Sequence, residues 1–338
     1  MRVTNKMLST NFLRDMSNNL ANLRELQQQM TSGKEIRRPS DNPFKVARAM
    51  QLHSSINANR QYNENISDTI NWLDTTDTAL GQAGDVLQRV RELLISAGNV
   101  SYSQNERRAI KDEINEKVGE IAQILNTNFD GKYIFGGTRG TTKPLEVGPD
   151  IDTNNTRLYY NSRTGEELDP NSTDVNVQNE IAMIKGRMSV EISQGVSMEY
   201  NVTAADIIEF TSEDGTEYNL MDLLTNITNH LDGKDNNGNP DPAKSLELIN
   251  GDDLKGITDT INNLLKIRSE VGAKQNRMDS AKLRNEEETY NMREILSETE
   301  DIDITEKTME YATMQVVYMA SLQTSARVLQ STLMDYLR

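Results

Sequence analysis

The chain has 338 residues, a formal charge of −16 from 36 basic and 52 acidic side chains, and no cysteine. The acidic balance leaves no basic footprint for nucleic-acid phosphates, and the missing cysteines exclude disulfides, thiolate catalysis and cysteine–metal sites together. With 36% hydrophobic, 26% charged and only 5% aromatic residues, the composition suits long helices with a polar surface better than one thick core.

The first residues, Met1 to Lys6, carry no apolar h-region, so no Sec-type leader is expected. No apolar run approaches membrane-spanning length. Residues 3–32 predict an amphipathic helix. Leu13, Met16, Leu20, Leu23, Gln27 and Met30 recur at alternating three- and four-residue spacing, with Asn18, Asn19, Asn22, Gln28 and Gln29 between them. Gly33 then acts as a C-terminal cap. Lys34, Arg37 and Arg38 form a small basic cluster, and Pro39 holds Arg38 extended. Ser40, Asp41 and Asn42 are all suitable N-caps, with Pro43 in the next first turn. This loop is either solvated or, through Lys34, Arg37, Arg38 and Asp41, a contact to a neighbouring subunit.

From Phe44 to about Ala97 the heptad is at its most regular. Ile66, Leu73, Leu80, Leu87 and Leu94 lie seven apart, and Thr69, Thr76, Ala83, Val90 and Ala97 fill the second position. Such a helix spans roughly 80 Å. Gly98 to Tyr102 breaks it, and a second helix over 104–128 puts Ile110, Ile114, Val118, Ile121 and Leu125 on one face. Asn128 to Gly137 then reads as a tight Asp130-Gly131 turn, a short strand and a glycine turn. Residues 141–250 are rich in Asn, Asp, Thr, Gly and Pro. They predict a variable β-rich domain with strands near 157–160 and 188–192 and one helix at 221–231. Helix returns at Asp253 with Leu254, Ile257, Ile261, Leu264, Val271 and Met278 at coiled-coil spacing.

The last stretch, 302–338, carries one row at Ile302, Met309, Val316, Gln323, Gln330 and Leu337. A second lies at Thr305, Ala312, Met319, Ala326 and Leu333, with Leu322, Leu329 and Tyr336 flanking. No charged residue occurs from Tyr311 to Ala326. A helix with this much uncharged surface needs partners on more than one side. The two terminal helices either pair as an antiparallel coil or pack separately, each on its own domain.

The expected fold class is mainly α with a β-rich insertion: a terminal coil nested outside a long-helix bundle, itself nested outside the variable domain. The expected segments are 1–43, 44–140, 141–250, 251–300 and 301–338. Enzyme chemistry finds no foothold. The two histidines, His53 and His230, belong to no metal motif, and no zincin, nucleophile-elbow or Walker pattern occurs. Trp72 beside Leu73 reads as bundle core. No catalytic residue, metal or cofactor is expected.

Several motifs resemble those of the bacterial flagellin superfamily, and within it the hook-associated junction proteins. Met30-Thr31-Ser32-Gly33-Lys34 followed by Pro39-Ser40-Asp41-Asn42-Pro43 is similar to their loop after the first helix. Asn128 to Gly137 is similar to the strand after their second bundle helix. Glu300 to Glu306 resembles the start of their last helix, and Leu333-Met334-Asp335-Tyr336-Leu337 their ending. The resemblance covers about 1–140 and 250–338. It implies a non-enzymatic flagellar subunit, exported unfolded through the flagellar type III apparatus. It would form a ring of copies of itself between hook-associated protein 1 and the flagellin filament. The missing cysteines suit such export, and equally a reducing cytosol. The implied assembly residues are Leu13, Met16, Leu20, Leu23, Met30, Met309, Ala312, Val316, Met319, Ala326, Leu333 and Leu337. An export chaperone is implied at Val316, Leu322, Leu329 and Leu333. The alternative is a filament flagellin, which carries a different loop and ending.

Overall fold

The protein is described by a computed structural model covering residues 5–100, 102–150, 155–235 and 238–334; side chains are described from residue 10 to 326, and at Met7. The chain divides into two compact units, residues 61–285 and residues 1–60 with 286–338.

The larger unit is built on three helical segments. α2 (Pro43–Ala97) supplies its part from residue 61 onward, α3 is Gln104–Leu125, and α8 (Leu254–Glu300) contributes up to residue 285. The heptad row of α2 is the core: Ile66, Leu73, Leu80, Leu87 and Leu94 are all buried, as are Ile114, Val118, Ile121 and Leu125 of α3. Ile257, Leu264, Val271 and Met278 of α8 are buried with them. Each such side chain contributes about 1.5–3 kcal/mol by leaving water. The polar members of the second row are satisfied locally. Thr69 and Thr76 donate their hydroxyls to the Asn65 and Trp72 carbonyls at 2.7 and 2.8 Å, so burying them leaves no orphan hydroxyl. Ion pairs flank the core: Arg268 reaches Asp77 of α2, and Arg89 of α2 reaches Glu113 of α3.

The helices end where local chemistry stops them. Ser103 and Glu106 form a reciprocal capping box at the start of α3. At the hairpin of β1 (Asn128–Phe129) and β2 (Lys132–Tyr133), Asp130 and Gly131 both take positive φ, 49° and 74°. This is the primed turn that the Asp-Gly pair predicts. Trp72 is core, with its ring edge-on to Phe129 and Tyr200 at about 6 Å.

The middle segment carries three small antiparallel sheets. β3 (Leu145–Pro149), β4 (Thr156–Asn161) and β5 (Glu167–Leu168) pair in that order; β6 (Ser189–Ser193) pairs with β7 (Val196–Glu199), and β8 (Glu209–Thr211) with β9 (Glu217–Asn219). β4 and β6 fall on the predicted strands, and α6 (Leu220–Leu231) on the predicted helix. Three short helices were not foreseen: α4 (Val175–Ile184), α5 (Ala204–Ile208) and α7 (Pro242–Leu248). Each starts at a side-chain cap, from Asp174, from Thr203 with Asp206, and from Asp241 before Pro242. Their helices are set by these caps and by burial, not by a long apolar stripe. A π turn, Ile249–Asp253, joins α7 to α8, so helix returns before the predicted Asp253.

Several titratable groups are taken inside this unit, Arg139 and the His230–Asp253 pair among them. The Arg139 guanidinium is fully covered. It donates to Glu180 (2.8 Å) and to the carbonyls of Lys143 (3.2 Å) and Asn161 (2.5 Å). Burial lowers its pKa, and the Glu180 carboxylate opposes that shift. His230 and Asp253 are both buried and hydrogen-bonded at 2.7 Å through Nδ1. Desolvation pushes the Asp253 carboxyl up while His230 pulls it down, with a net rise.

Candidate assembly face on the terminal coil

The smaller unit contains α1 (Asn5–Ser32) and α9 (Ile304–Met334), which pack against each other. Their pairing is antiparallel and anchored at one end. The Glu35 amide donates to the Glu300 carbonyl at 2.7 Å, and the Ile302 amide to the Gly33 carbonyl at 3.1 Å. Lys34 seals this bracket, with its ammonium 2.7 Å from Asp301 and 3.4 Å from Glu300. Its hydrogen bond to Asp301 raises the Lys34 pKa and lowers that of Asp301. His53 Nε2 lies 3.3 Å from the same Glu300 carboxylate. Gly33 takes φ 71°, the left-handed conformation that ends α1.

The loop from 34 to 42 is organised by Asp41. Its carboxylate accepts the amides of Arg38 (2.9 Å) and Arg37 (3.2 Å), and these bonds, the Arg38 one first, hold its pKa down. Asn42 caps α2 by accepting from the Lys45 amide at 3.2 Å. Of the loop residues singled out in the sequence, Lys34 meets carboxylates of its own chain, and Arg37 reaches Gln28 at 2.7 Å. The Arg38 side chain is exposed and makes no hydrogen bond or ion pair among the described residues.

The two terminal helices pair, and in α9 the covered row is not the one expected from the heptads. In α1 the partly covered positions are Phe12, Met16, Asn19, Leu20, Leu23, Leu26, Gln29 and Met30, and six of them, Phe12, Met16, Asn19, Leu23, Leu26 and Met30, keep strict four-three spacing. Met16, Leu23 and Met30 lie in this row, Leu20 is partly covered like them, and Leu13 is exposed. In α9 the covered row is Lys307, Tyr311, Met314, Tyr318, Ser321 and Ser325. The expected seam residues Met309, Ala312, Val316, Met319 and Ala326 point away from it; Met309 and Val316 are 62% and 61% exposed. Leu322 is exposed too. The side chains of Leu329 and Leu333, and Leu337 altogether, lie outside the described residues.

The physical reason is an excess of apolar rows. A period of seven fixes spacing but not which of several neighbouring rows meets the partner, and α9 has more apolar width than one helix can cover. The bracket at Gly33–Ile302 fixes how α9 leaves α8, and amphipathic tyrosines with small serines take the inner row. The signal was available: Tyr311, Met314 and Tyr318 share the spacing of Phe12 to Met30. What remains outside is a continuous apolar face, Met309, Ala312, Val316, Met319 and Leu322. Next to it runs a groove of about 760 Å³ lined by Asn22, Leu26, Gln29, Met309, Thr313 and Val317. A surface of this kind fits helix-on-helix association. Among the described residues no helix is long and apolar enough to cross a membrane, and no cluster of acidic or imidazole side chains has metal-site geometry.

Comparison with known proteins gives the family. The bacterial flagellin N-terminal helical region matches residues 3–139, and the bacterial flagellin C-terminal helical region matches residues 254–337. The segment between them, which carries the small sheets, matches neither. A flagellin of Clostridium tyrobutyricum is 23% identical over 98% of this chain and 100% of its own length. Flagellar hook-associated protein 3 of Salmonella typhimurium is 21% identical over 96% of each chain. The crystal structure of flagellar hook-associated protein 3 from Legionella pneumophila, 14% identical, superposes on 74% of this chain and 98% of its own with a TM-score of 0.58. That likeness is one of fold. With both helical regions of the family present in order, on a nested helical fold, the chain belongs to the bacterial flagellin family and is a structural protein of the flagellum.

Proposed function

We propose that the protein is the adaptor at the hook–filament junction, of the hook-associated protein 3 type. It forms a ring of its own copies between hook-associated protein 1 and the first flagellin subunits. The observation that carries this reading is the uncovered apolar face of α9, Met309, Ala312, Val316, Met319 and Leu322, on a coil whose inner row is already paired. A face of this kind is costly in water and is stabilised only by further helices. The end-to-end match to a hook-associated protein 3 supports the position at the junction.

In this reading the coil is the axial contact, and Leu13 and Leu20 of α1 extend the apolar face. Arg37 and Arg38 on the exposed loop, oriented by Asp41, meet carboxylates of a neighbouring subunit, while Lys34 maintains the bracket. Before assembly an export chaperone covers the α9 face at Val316 and Leu322 and continues over Leu329 and Leu333. The chain leaves the cell through the flagellar type III apparatus.

The second reading, a filament flagellin, is favoured by the equally complete match to the Clostridium flagellin. Deletion of the gene in the source bacterium separates the two. Bare hooks with flagellin monomers released to the medium are expected of the adaptor. Bare hooks with no major subunit in the medium would make this chain the filament itself, and normal filaments would refute both.

A further inference from the structure

A cavity of about 720 Å³ opens in the larger unit between the β8–β9 hairpin, α6 and the π turn that leads into α8. Its hairpin wall is aromatic. Phe210 and Tyr218 are cross-strand partners, and their half-buried rings stack with centroids 5.6 Å apart at an interplanar angle of 27°. The wall is fixed to α8. The Ser212 hydroxyl donates to Asp259 at 3.0 Å, and Lys255 pairs with Asp214 at 2.9 Å. Gly256 lets the wall close in, since a Cβ there would lie 2.7 Å from Leu223 Cδ1 and 3.3 Å from Tyr218 Cε1. The polar lining includes Asp222 and Asn226, one turn apart on α6, and Asp252 of the π turn, a rare geometry that recurs at functional sites. All three are exposed and make no side-chain hydrogen bond or ion pair among the described residues. Two other acids of the lining are already engaged, Asp253 with His230 and Glu209 with Lys185. Glu209, Asn219 and Asp222 are shared with an adjoining cavity of about 430 Å³, whose lining includes Tyr159 and Asn171.

We propose that this trough is a carbohydrate-binding site, which takes a neutral oligosaccharide of pyranose units along its aromatic wall. A pyranose ring is amphipathic in the matching way. Its axial C–H bonds make an apolar face, and its hydroxyls project from the edge as donors and acceptors. Phe210 and Tyr218 offer a flat apolar surface to that face. At the edge, the carboxylates of Asp222 and Asp252 accept from hydroxyls, while the Asn226 amide both donates and accepts. Other ligand classes fit less well. Among the described residues no lysine or arginine lines the larger cavity, so a phosphate or an acidic sugar would meet carboxylates and no fixed positive charge. An apolar ligand would strip water from the polar lining without replacing its hydrogen bonds. A small cation would find the unpaired carboxylates exposed and interleaved with Thr211, Asn219 and Asn226, where water and salt weaken charge pairing. Two adjoining cavities suit a chain of sugar units better than a single one. The site lies wholly in the larger unit and does not depend on the junction reading.

The test is saturation-transfer difference NMR on the full-length protein, with maltohexaose, cellohexaose and hexa-N-acetylchitohexaose as the neutral probes. Saturation is expected on the ring C–H protons of at least one probe. Its dissociation constant should be about 1 mM or below and the same at low and high salt. Asp222→Ala and Asn226→Ala, both at exposed positions, should each weaken binding about fivefold while the melting transition is retained. Tyr218→Ala should weaken it about tenfold. No saturation transfer to any of the three probes, or an affinity indifferent to all three substitutions, would overturn the proposal. So would tighter, salt-sensitive binding of spermidine in competition with the sugar, which would make the trough a site for cations.

Discussion

At Gly137 the backbone turns with φ 60°, and a Cβ there would lie 2.5 Å from the Met183 carbonyl oxygen and clash with that of Ile184. Both the dihedral and the space demand glycine. Gly137→Ala is expected to cost more than about 1 kcal/mol, seen as a lower urea midpoint at unchanged slope. A wild-type midpoint would show that the α4 end gives way freely. Asp301 and Lys34 make a second residue-scale case. The folded pKa of Asp301 is depressed, so its contribution is present above the ordinary carboxylate value of about 3.9 and is lost as pH falls through the folded value. Lys34 is raised, so its share is complete below about 10.4 and is lost as pH rises through its folded value. Both side chains are more than a third exposed, so the pair is worth at most about 1 kcal/mol. Hydrogen-exchange protection of the Glu35 and Ile302 amides should hold between these limits, fall outside them, and drop throughout in Asp301→Asn. Protection indifferent to that substitution would mean the backbone bonds alone close the bracket.

Between elements, the register of α1 on α9 makes a sharp contrast. Met314 is in the covered row and Met319 in the open one. Met319→Asp should leave the helix content and exchange protection of the isolated chain unchanged and block its incorporation into the flagellum. Met314→Asp should also loosen the coil, because the charge is placed between the helices. Equal loosening by both would restore the row first expected from the heptads. The contrast also marks what a sequence makes legible. The rows of α2, α3 and α8 were readable because each helix has one dominant stripe of large aliphatic side chains, Ile66 to Leu94 above all. The α9 row was not, because Met309, Val316 and Met319 are as apolar as Met314, and only the bracket at Gly33–Ile302 selects between them. The short helices were missed for the opposite reason: α5 has five residues and no stripe, and its one signal was the Thr203–Asp206 box.

For the whole chain, the division into two units predicts how it comes apart. The unit formed by 61–285 takes no residue from α9. Deleting residues 304–338 should therefore leave its cooperative melting transition in circular dichroism, while α1 loses its partner and its exchange protection. Loss of the transition would mean that the bundle depends on the terminal coil. Within the larger unit, Leu80 is fully buried in the row shared by the whole bundle, and Leu80→Ala should cost about 2–5 kcal/mol.

The nesting has a kinetic meaning as well. The core of the larger unit draws on Ile66 to Leu125 and again on Ile257 to Met278, with the small sheets between. A chain synthesised from its N-terminus presents one half of that core long before the other. Closure must wait for contacts across well over a hundred residues, and such distant pairings form slowly. Arg139 adds a condition, since its charge is stable in the interior only with Glu180 and the Asn161 carbonyl in place to receive it. The topology thus works as a timer: the larger unit closes only when both halves of its core have been made.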